Sequence, residues 1–244
     1  MLIPLDYRNE GILRHHERIW RKVRPGWEWP ARHGYTSEYS WACDHLAAYV
    51  QQPHREARVM DAGGGCGSMQ HVLAECYGEC VNVDVNPRHL HPDCTPSILI
   101  QGDLEDTPML EPGSFDGIVA ISSIEHNEWD KIVRIVRNLL TLLKPGAPLV
   151  VTVPAFEVAT YYAEGEWPEP HQKAWPECFN FDVDSFRELF SITNDMAMVA
   201  EPSGLPHAEI YRAQWRVIHD DMMTNSEPVS QAPYLSTGFV LRRR

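Results

Sequence analysis

Val59-Met60-Asp61-Ala62-Gly63-Gly64-Gly65-Cys66-Gly67-Ser68 runs from apolar residues through a single acid into a stretch that is mostly glycine. An apolar run ending in this way reads as a buried strand that opens into a loop beside a nucleotide-sized ligand. Glycine tolerates positive φ and lets a ligand approach the backbone, and Gly63, Gly65 and Gly67 alternate as such a loop needs. The dinucleotide fingerprint G-x-G-x-x-G would put its third glycine at position 68, where Ser68 stands. The pattern is instead D-x-G-x-G-x-G, from Asp61 to Gly67. Cys66 reads as a small filler of the loop rather than a nucleophile.

Four further segments follow, the first three of them ending in polar chemistry. Val81-Asn82-Val83-Asp84-Val85 places Asp84 17 residues beyond Gly67, where a carboxylate can accept both hydroxyls of a ribose. Gln101-Gly102-Asp103-Leu104-Glu105 closes a third strand with Gly-Asp. A fourth, Phe115 to Ile121, runs into Ser122-Ser123-Ile124-Glu125-His126, and a fifth, Pro148 to Val153, follows the turn Leu143-Lys144-Pro145-Gly146.

Together these segments resemble the class I S-adenosylmethionine-dependent methyltransferases over about residues 58 to 154. The resemblance implies an α/β fold, a three-layer sandwich around a seven-stranded, mostly parallel sheet. It implies S-adenosylmethionine as cofactor, with Asp61, Gly63, Gly65 and Gly67 forming the loop and Asp84 with Val85 at the ribose. The Asp103 side chain and the Leu104 N–H would meet the adenine, and Ser122 would be a further cofactor-binding residue. His126 and Glu125 are the candidate catalytic residues. His126 reads equally as a general base, since a neutral imidazole titrates near ~6.5, and as a histidine that fixes the loop by hydrogen bonding. Glu125 would orient it or face the sulfonium. Adenine and amide-nitrogen methyltransferases resemble one another in an Asn/Asp-Pro-Pro-Tyr ending at this strand, and this chain has none there.

Outward from the core, residues 1–57 read as a helical, aromatic-rich extension, with helices at Glu10 to Val23 and Ser37 to Gln51. Residues 58–244 read as the Rossmann-like domain. Helices are expected at Ser68 to Tyr77, at Trp129 to Leu143 with one apolar face, and at Asp182 to Phe190. Residues 155–181, dense in proline and aromatics and including His171 as a weaker base candidate, read as a substrate lid. Strands are expected at Met196 to Ala200 and Tyr234 to Leu241, enclosing an insertion at 202–232 with a helical stretch from Glu209 to Met222.

Composition narrows the partners. With 21 basic and 34 acidic residues the net charge is −13, which opposes attraction to phosphate backbones and anionic membranes. The basic residues near the N-terminus and Arg242, Arg243 and Arg244 read as solvated surface. The six cysteines form no C-x-x-C pair, and His89-Leu90-His91-Pro92-Asp93-Cys94 lacks a zinc spacing, so no metal is expected. No apolar run reaches the length of a membrane span, and a cytoplasmic location is the expectation. The expected function is methyl transfer to a small-molecule acceptor, a sugar or a secondary metabolite. Nucleic acid is disfavoured as a partner and a homodimer is compatible with the chain. Two alternatives stay open, methylation of a protein or RNA and a non-catalytic module that binds S-adenosylmethionine.

Overall fold

The computed structural model describes residues 3–4, 10–23, 34–65, 67–88, 95–155, 160–163, 177–199 and 235–244. Cys66, the histidine cluster 89–94, His171, the helical stretch expected at 209–222 and most of 155–176 lie outside the described residues.

In chain order the elements are β1 (Ile3–Pro4), α1 (Glu10–Val23), α2 (Gly34–Tyr49), β2 (Arg58–Ala62), α3 (Met69–Cys76), β3 (Glu79–Asp84), β4 (Ile98–Gln101) and β5 (Gly117–Ile121). There follow α4 (Trp129–Leu142), β6 (Pro148–Ala155), β7 (Thr160–Tyr162), β8 (Cys178–Asn180), α5 (Val183–Thr193), β9 (Ala197–Val199) and β10 (Leu235–Arg243). The main sheet has the order β1-β10-β6-β5-β2-β3-β4, and β9 pairs with β10. Strands β2 to β6 run parallel, and β10 inserts antiparallel beside β6. The expected seven strands are β2 to β6, β9 and β10, and the two-residue β1 adds an eighth along the outer edge of β10. A separate hairpin, β7 with β8, falls in the segment expected to be a lid.

The period-2 alternation of the strands divides the core into two compartments. Met60, Val81, Val83, Ile118, Ala120, Leu149, Val151, Phe239 and Leu241 face one side, where α4 and α5 cover them. Val59, Cys80, Val119, Val150 and Val240 face the other, against Trp41, Leu46, Met69 and Leu73 of α2 and α3. Both faces are dry, so the strands read as continuous apolar runs.

Helix α4 buries Ile132, Ile135, Val136, Leu139 and Leu140, a spacing of three and four that keeps one face on the sheet. Each such side chain contributes about 1.5–3 kcal/mol by leaving water. The helix stops where Pro145 cannot continue it and Gly146 takes φ +79°. Its last carbonyls are satisfied from a distance, because the Arg243 guanidinium donates to the carbonyls of Thr141, at 2.8 Å, and Leu143. Arg242 donates to the Gly146 carbonyl at 3.0 Å. These two arginines are half-buried parts of the sheet, so the expectation of solvated surface fails for them, whereas Arg244 and, near the N-terminus, Arg14, Arg18, Arg21 and Lys22 are exposed. Helix α5 starts with a capping box, in which Asp182 accepts from the Ser185 N–H at 2.8 Å and the Ser185 hydroxyl faces the Asp182 N–H.

Helix α2 lies along the second face antiparallel to the parallel strands. Leu46 and Val50 press on Gly117 at the start of β5, whereas Glu38 meets Ser122 beyond its end. The first turns of α2 therefore arrive at the carboxyl edge of the sheet, where the site lies.

Candidate active site

Strand β2 is the switch point of the sheet, since β3 and β4 lie on one side of it and β5 and β6 on the other. Open α/β sheets bind ligands in the crevice outside the carboxyl ends of strands at such a point. Asp61 to Gly67 occupies that place.

The loop is held by its neighbours' polar groups rather than by its own side chains. The Gly63 N–H donates to the Val83 carbonyl at 2.8 Å and the Gly67 N–H to the Gly64 carbonyl at 2.7 Å. The Gly65 carbonyl collects the Arg88 N–H at 3.1 Å and the Asn82 side-chain amide at 3.0 Å. Gly63 and Gly65 take φ of +73° and +50°, a region that penalises any Cβ.

Gly64, which falls outside the alternation, is required for a different reason. A Cβ there would lie 2.3 Å from Asp61 Oδ2 and 2.9 Å from Asn82 Oδ1. Asp61 thus sits directly under the loop, 2% exposed, and its Oδ2 has no hydrogen-bond partner. Burial, with the charge of Asp84 nearby, pushes its carboxyl up to about 7, against a Gln70 N–H that favours the ionised form.

Asp84 closes β3 at the rim. Its Oδ2 accepts from the Gly65 N–H at 3.0 Å and its Oδ1 from the Asn86 N–H at 2.7 Å. Each oxygen is an acceptor with a second lone pair still to offer. Val85, the next residue, is 65% exposed, an unusual position for an apolar side chain at a strand end. Asp103 lies beyond β4, where Lys131 donates to its Oδ2 at 2.7 Å and the Glu105 N–H to its Oδ1 at 3.0 Å. Partial burial opposes ionisation there, but Lys131 and the Glu105 N–H outweigh it and hold the carboxyl below its ordinary value. The Leu104 side chain turns into the core, close to Gly63. An open groove of about 500 Å³ runs outside Asp103, between Glu105, Asp106, Arg134 and Arg137, away from the glycine loop.

The fourth wall is the turn after β5. The Ser123 hydroxyl donates to the Ala62 carbonyl at 2.9 Å, and its Cβ packs so tightly on Gly63 that a Cβ there would lie 2.5 Å away. Ser122 takes φ +45°, alone among the described non-glycine residues in having positive φ. Its hydroxyl is committed to Glu38 of α2, whose two carboxylate oxygens lie at 3.2 and 3.1 Å. Glu125 is 3% exposed, and its Oε2 has no hydrogen-bond partner. Burial drives its carboxyl well above the ordinary range, and the charge of Glu38 adds to the shift. His126 is half-buried, with Nδ1 2.7 Å from the Glu177 carbonyl. A carbonyl only accepts, so Nδ1 carries the hydrogen and the neutral ring keeps its lone pair on Nε2. The Phe179 N–H donates to the Glu125 carbonyl at 2.7 Å, which ties the β7–β8 hairpin to the same turn.

All the residues expected at the site, except Cys66 and His171, are therefore described, and they fall on the carboxyl edge of four adjacent strands. Sequence reasoning missed Gly64, Asn82, Glu38 and Tyr39. Tyr39 stacks on the buried His16, ring centroids 4.8 Å apart, and its hydroxyl approaches Gly67. Among the described residues no group of three or more histidine, cysteine or acidic side chains is placed to hold a metal. None of the helices there is long and apolar enough to cross a membrane.

A switch-point glycine loop, strand-end acids on either side and an antiparallel last strand define the class I methyltransferase fold. The family model for a methyltransferase domain matches residues 60–151. A ubiquinone biosynthesis O-methyltransferase from Xanthomonas campestris pv. campestris (strain B100) is 32% identical over 134 residues, covering 50% of this chain and 54% of that protein. The chain thus matches about half the length of this curated relative. Among solved structures, the 1,6-didemethyltoxoflavin-N1-methyltransferase of Burkholderia thailandensis, crystallised with bound 1,6-didemethyltoxoflavin and S-adenosylhomocysteine, superposes with a TM-score of 0.58 at 16% identity. That match covers 99% of this chain and 94% of the other. The magnesium protoporphyrin IX methyltransferase of Synechocystis PCC 6803, solved with S-adenosylmethionine bound, gives 0.52 at 13% identity, covering 93% and 91%. At such identities the likeness is one of fold.

Proposed function

We propose that this protein is an S-adenosylmethionine-dependent methyltransferase whose acceptor is a small molecule carrying a hydroxyl group. The observation that carries this reading is the contact of the glycine loop with the turn after β5, Ser123 against Gly63, above the buried Asp61. Neighbouring strands lie about 4.8 Å apart, so the ends of β4, β3, β2 and β5 form a row about 14 Å long. A nucleoside laid along that row would have its base near Asp103 and the exposed Val85 and its ribose on the free lone pairs of Asp84. Its charged sulfur end would lie over the loop, towards Ser122 and Glu125. The residues present fit that ligand: the loop has no Cβ to obstruct it, and two buried carboxyls with an unused oxygen each lie beneath its cationic side.

The cofactor would supply an already electrophilic methyl carbon, so alignment of the acceptor does much of the work. The chain's own task is then to hold the acceptor oxygen in line and remove its proton. His126 suits that task, because the Glu177 carbonyl holds its Nδ1–H and leaves Nε2 as the acceptor. Holding the loop and acting as base are compatible, since the two ring nitrogens divide the roles. The oxygen acceptor is favoured by the relative named an O-methyltransferase, and the net charge of −13 disfavours nucleic acid. The Asn/Asp-Pro-Pro-Tyr ending is absent from this strand.

Calorimetric titration with S-adenosylmethionine and S-adenosylhomocysteine, followed by an acceptor screen of phenols, sugars and secondary metabolites, tests the reading. Binding that weakens in Asp84→Ala and turnover that collapses in His126→Ala are expected. Failure of the purified protein to bind either nucleoside, with Asp84→Ala indistinguishable from it, would overturn the assignment. Binding without turnover on any acceptor would leave a cofactor-binding module.

A further inference from the structure

Glu38 and Glu125 reach the end of β5 from opposite directions, one from α2 and the other from the turn itself. Both are almost wholly buried, at 1% and 3% exposure. Glu38 grips the Ser122 hydroxyl with both oxygens and so holds the turn in its left-handed conformation. Glu125 faces its own N–H and that of Ser123, yet its Oε2 is buried without any donor. A carboxylate oxygen buried this way is costly unless it carries a proton or meets a positive charge. Among the described residues the Cys178 thiol of β8 also lies near Glu125; burial, and then the charge of Glu125, push it up, and it supplies no cation. His126, next in sequence, has its Nδ1 turned to Glu177.

We propose that Glu125 exchanges a proton for the sulfonium charge of the cofactor: it is a neutral acid in the free protein and a carboxylate when the sulfonium lies over it, with Glu38 as the positioning residue that presents it. The inference rests on the cofactor assignment above. It gives the turn a role in specificity, because S-adenosylmethionine carries the sulfonium and S-adenosylhomocysteine does not. It also closes the balance of charge. In the transfer, the acceptor oxygen forms its bond to the methyl carbon as the carbon–sulfur bond breaks with its electron pair going to sulfur. The sulfur loses its charge, the hydroxyl gives up one proton, and Glu125 is again free to hold one. Charge is conserved within the pocket, with His126 as the first acceptor of that proton.

The test counts protons. Calorimetry of the full chain at about pH 7, repeated in buffers of different ionisation enthalpy, gives the protons released per ligand bound. S-adenosylmethionine should release close to one proton and S-adenosylhomocysteine close to none. In Glu125→Gln, which copies the shape of the neutral acid, the release should vanish and the preference for the sulfonium ligand should fall by about tenfold or more. Glu38→Gln should reduce the preference while the thermal melt shows a folded protein, and Glu38→Asp should recover part of it. Equal release with both ligands, or release that survives in Glu125→Gln and so points to a group such as Asp61, would overturn the inference alone. Binding of S-adenosylmethionine with no release would do the same. Failure to bind either ligand would remove the functional assignment and the inference together.

Discussion

Replacing Gly64 by alanine isolates the contact between the glycine loop and the acid beneath it. The added Cβ would lie 2.3 Å from Asp61 Oδ2, 2.5 Å from its Cγ and 2.9 Å from Asn82 Oδ1. Neither neighbour can step aside into solvent, because Asp61 is 2% exposed and Asn82 is fully buried, with its amide tied to the Gly65 carbonyl. Overpacking of this kind costs about 1–3 kcal/mol. At ~2–4 °C per kcal/mol for a chain of this size, the melting temperature should fall by about 4–8 °C for a cost near ~2 kcal/mol. Gly65→Ala provides the contrast. Its Cβ would meet nothing nearer than Asp84 Oδ2 at 3.7 Å, so only the left-handed backbone, φ +50°, is penalised, by ~1–2 kcal/mol. The decisive measurement is a double-mutant cycle by urea denaturation. Truncating the carboxyl in Asp61→Ala removes the two shortest contacts and leaves the one at 2.9 Å with Asn82 Oδ1, so Gly64→Ala should cost distinctly less in that background, whereas Gly65→Ala should cost the same in both. A Gly64→Ala penalty that is undiminished without the Asp61 side chain would refute the steric argument.

Other expectations follow from the same contacts. The Asp61 carboxyl, pushed up to about 7 from 3.8, binds more protons folded than unfolded, so its contribution to stability is lost as pH rises from about 4 to about 7. His16 has the opposite sign, since burial lowers it to about 3 and stability is lost as pH falls below about 6.5. Asp61→Asn should therefore make the urea midpoint rise more steeply across that range, and an unchanged pH profile would contradict the assignment. Arg243→Ala leaves the Thr141 and Leu143 carbonyls without their guanidinium, which should cost about 1 kcal/mol by chemical denaturation. His126→Ala should lower turnover by about a hundred- to ten-thousand-fold while the affinity for S-adenosylmethionine stays within twofold, about 0.4 kcal/mol. A comparable loss of affinity would make the residue a binding group instead.

Much of the frame was legible because it follows from local rules. The apolar strands ending in Asp61 and Asp84, the period of Ile132 to Leu140, and the Lys144-Pro145-Gly146 stop each announce themselves within a few residues. What escaped depends on packing between distant segments. Glu38 sits in a helix turn rich in polar and aromatic residues, and only the arrival of Ser122, 84 positions later, makes it part of the site. Asn82 looks like a polar interruption of a strand until the Gly65 carbonyl is seen to need its amide. Arg242 and Arg243 look like a charged tail because their acceptors, the carbonyls at the end of α4 and in the turn beyond it, are about a hundred residues away in sequence. Gly64 was passed over for its alternating neighbours because steric exclusion by Asp61 leaves no trace in a motif.

Helix α2 has a consequence for how the protein can be divided. It supplies Trp41 and Leu46 to the same compartment as Val59, Val119, Val150 and Val240, and Trp41 lies flat where a Cβ on Gly238 would strike it at 2.5 Å. A fragment beginning at residue 58 would keep every residue matched to the methyltransferase domain, yet expose that row of valines to water as an adhesive patch. The segment matched to the methyltransferase domain and the unit that covers its own apolar face are thus different lengths of chain. Shortening the protein, or fusing it at that boundary, removes a structural layer and the carboxylate grip on Ser122 in a single cut.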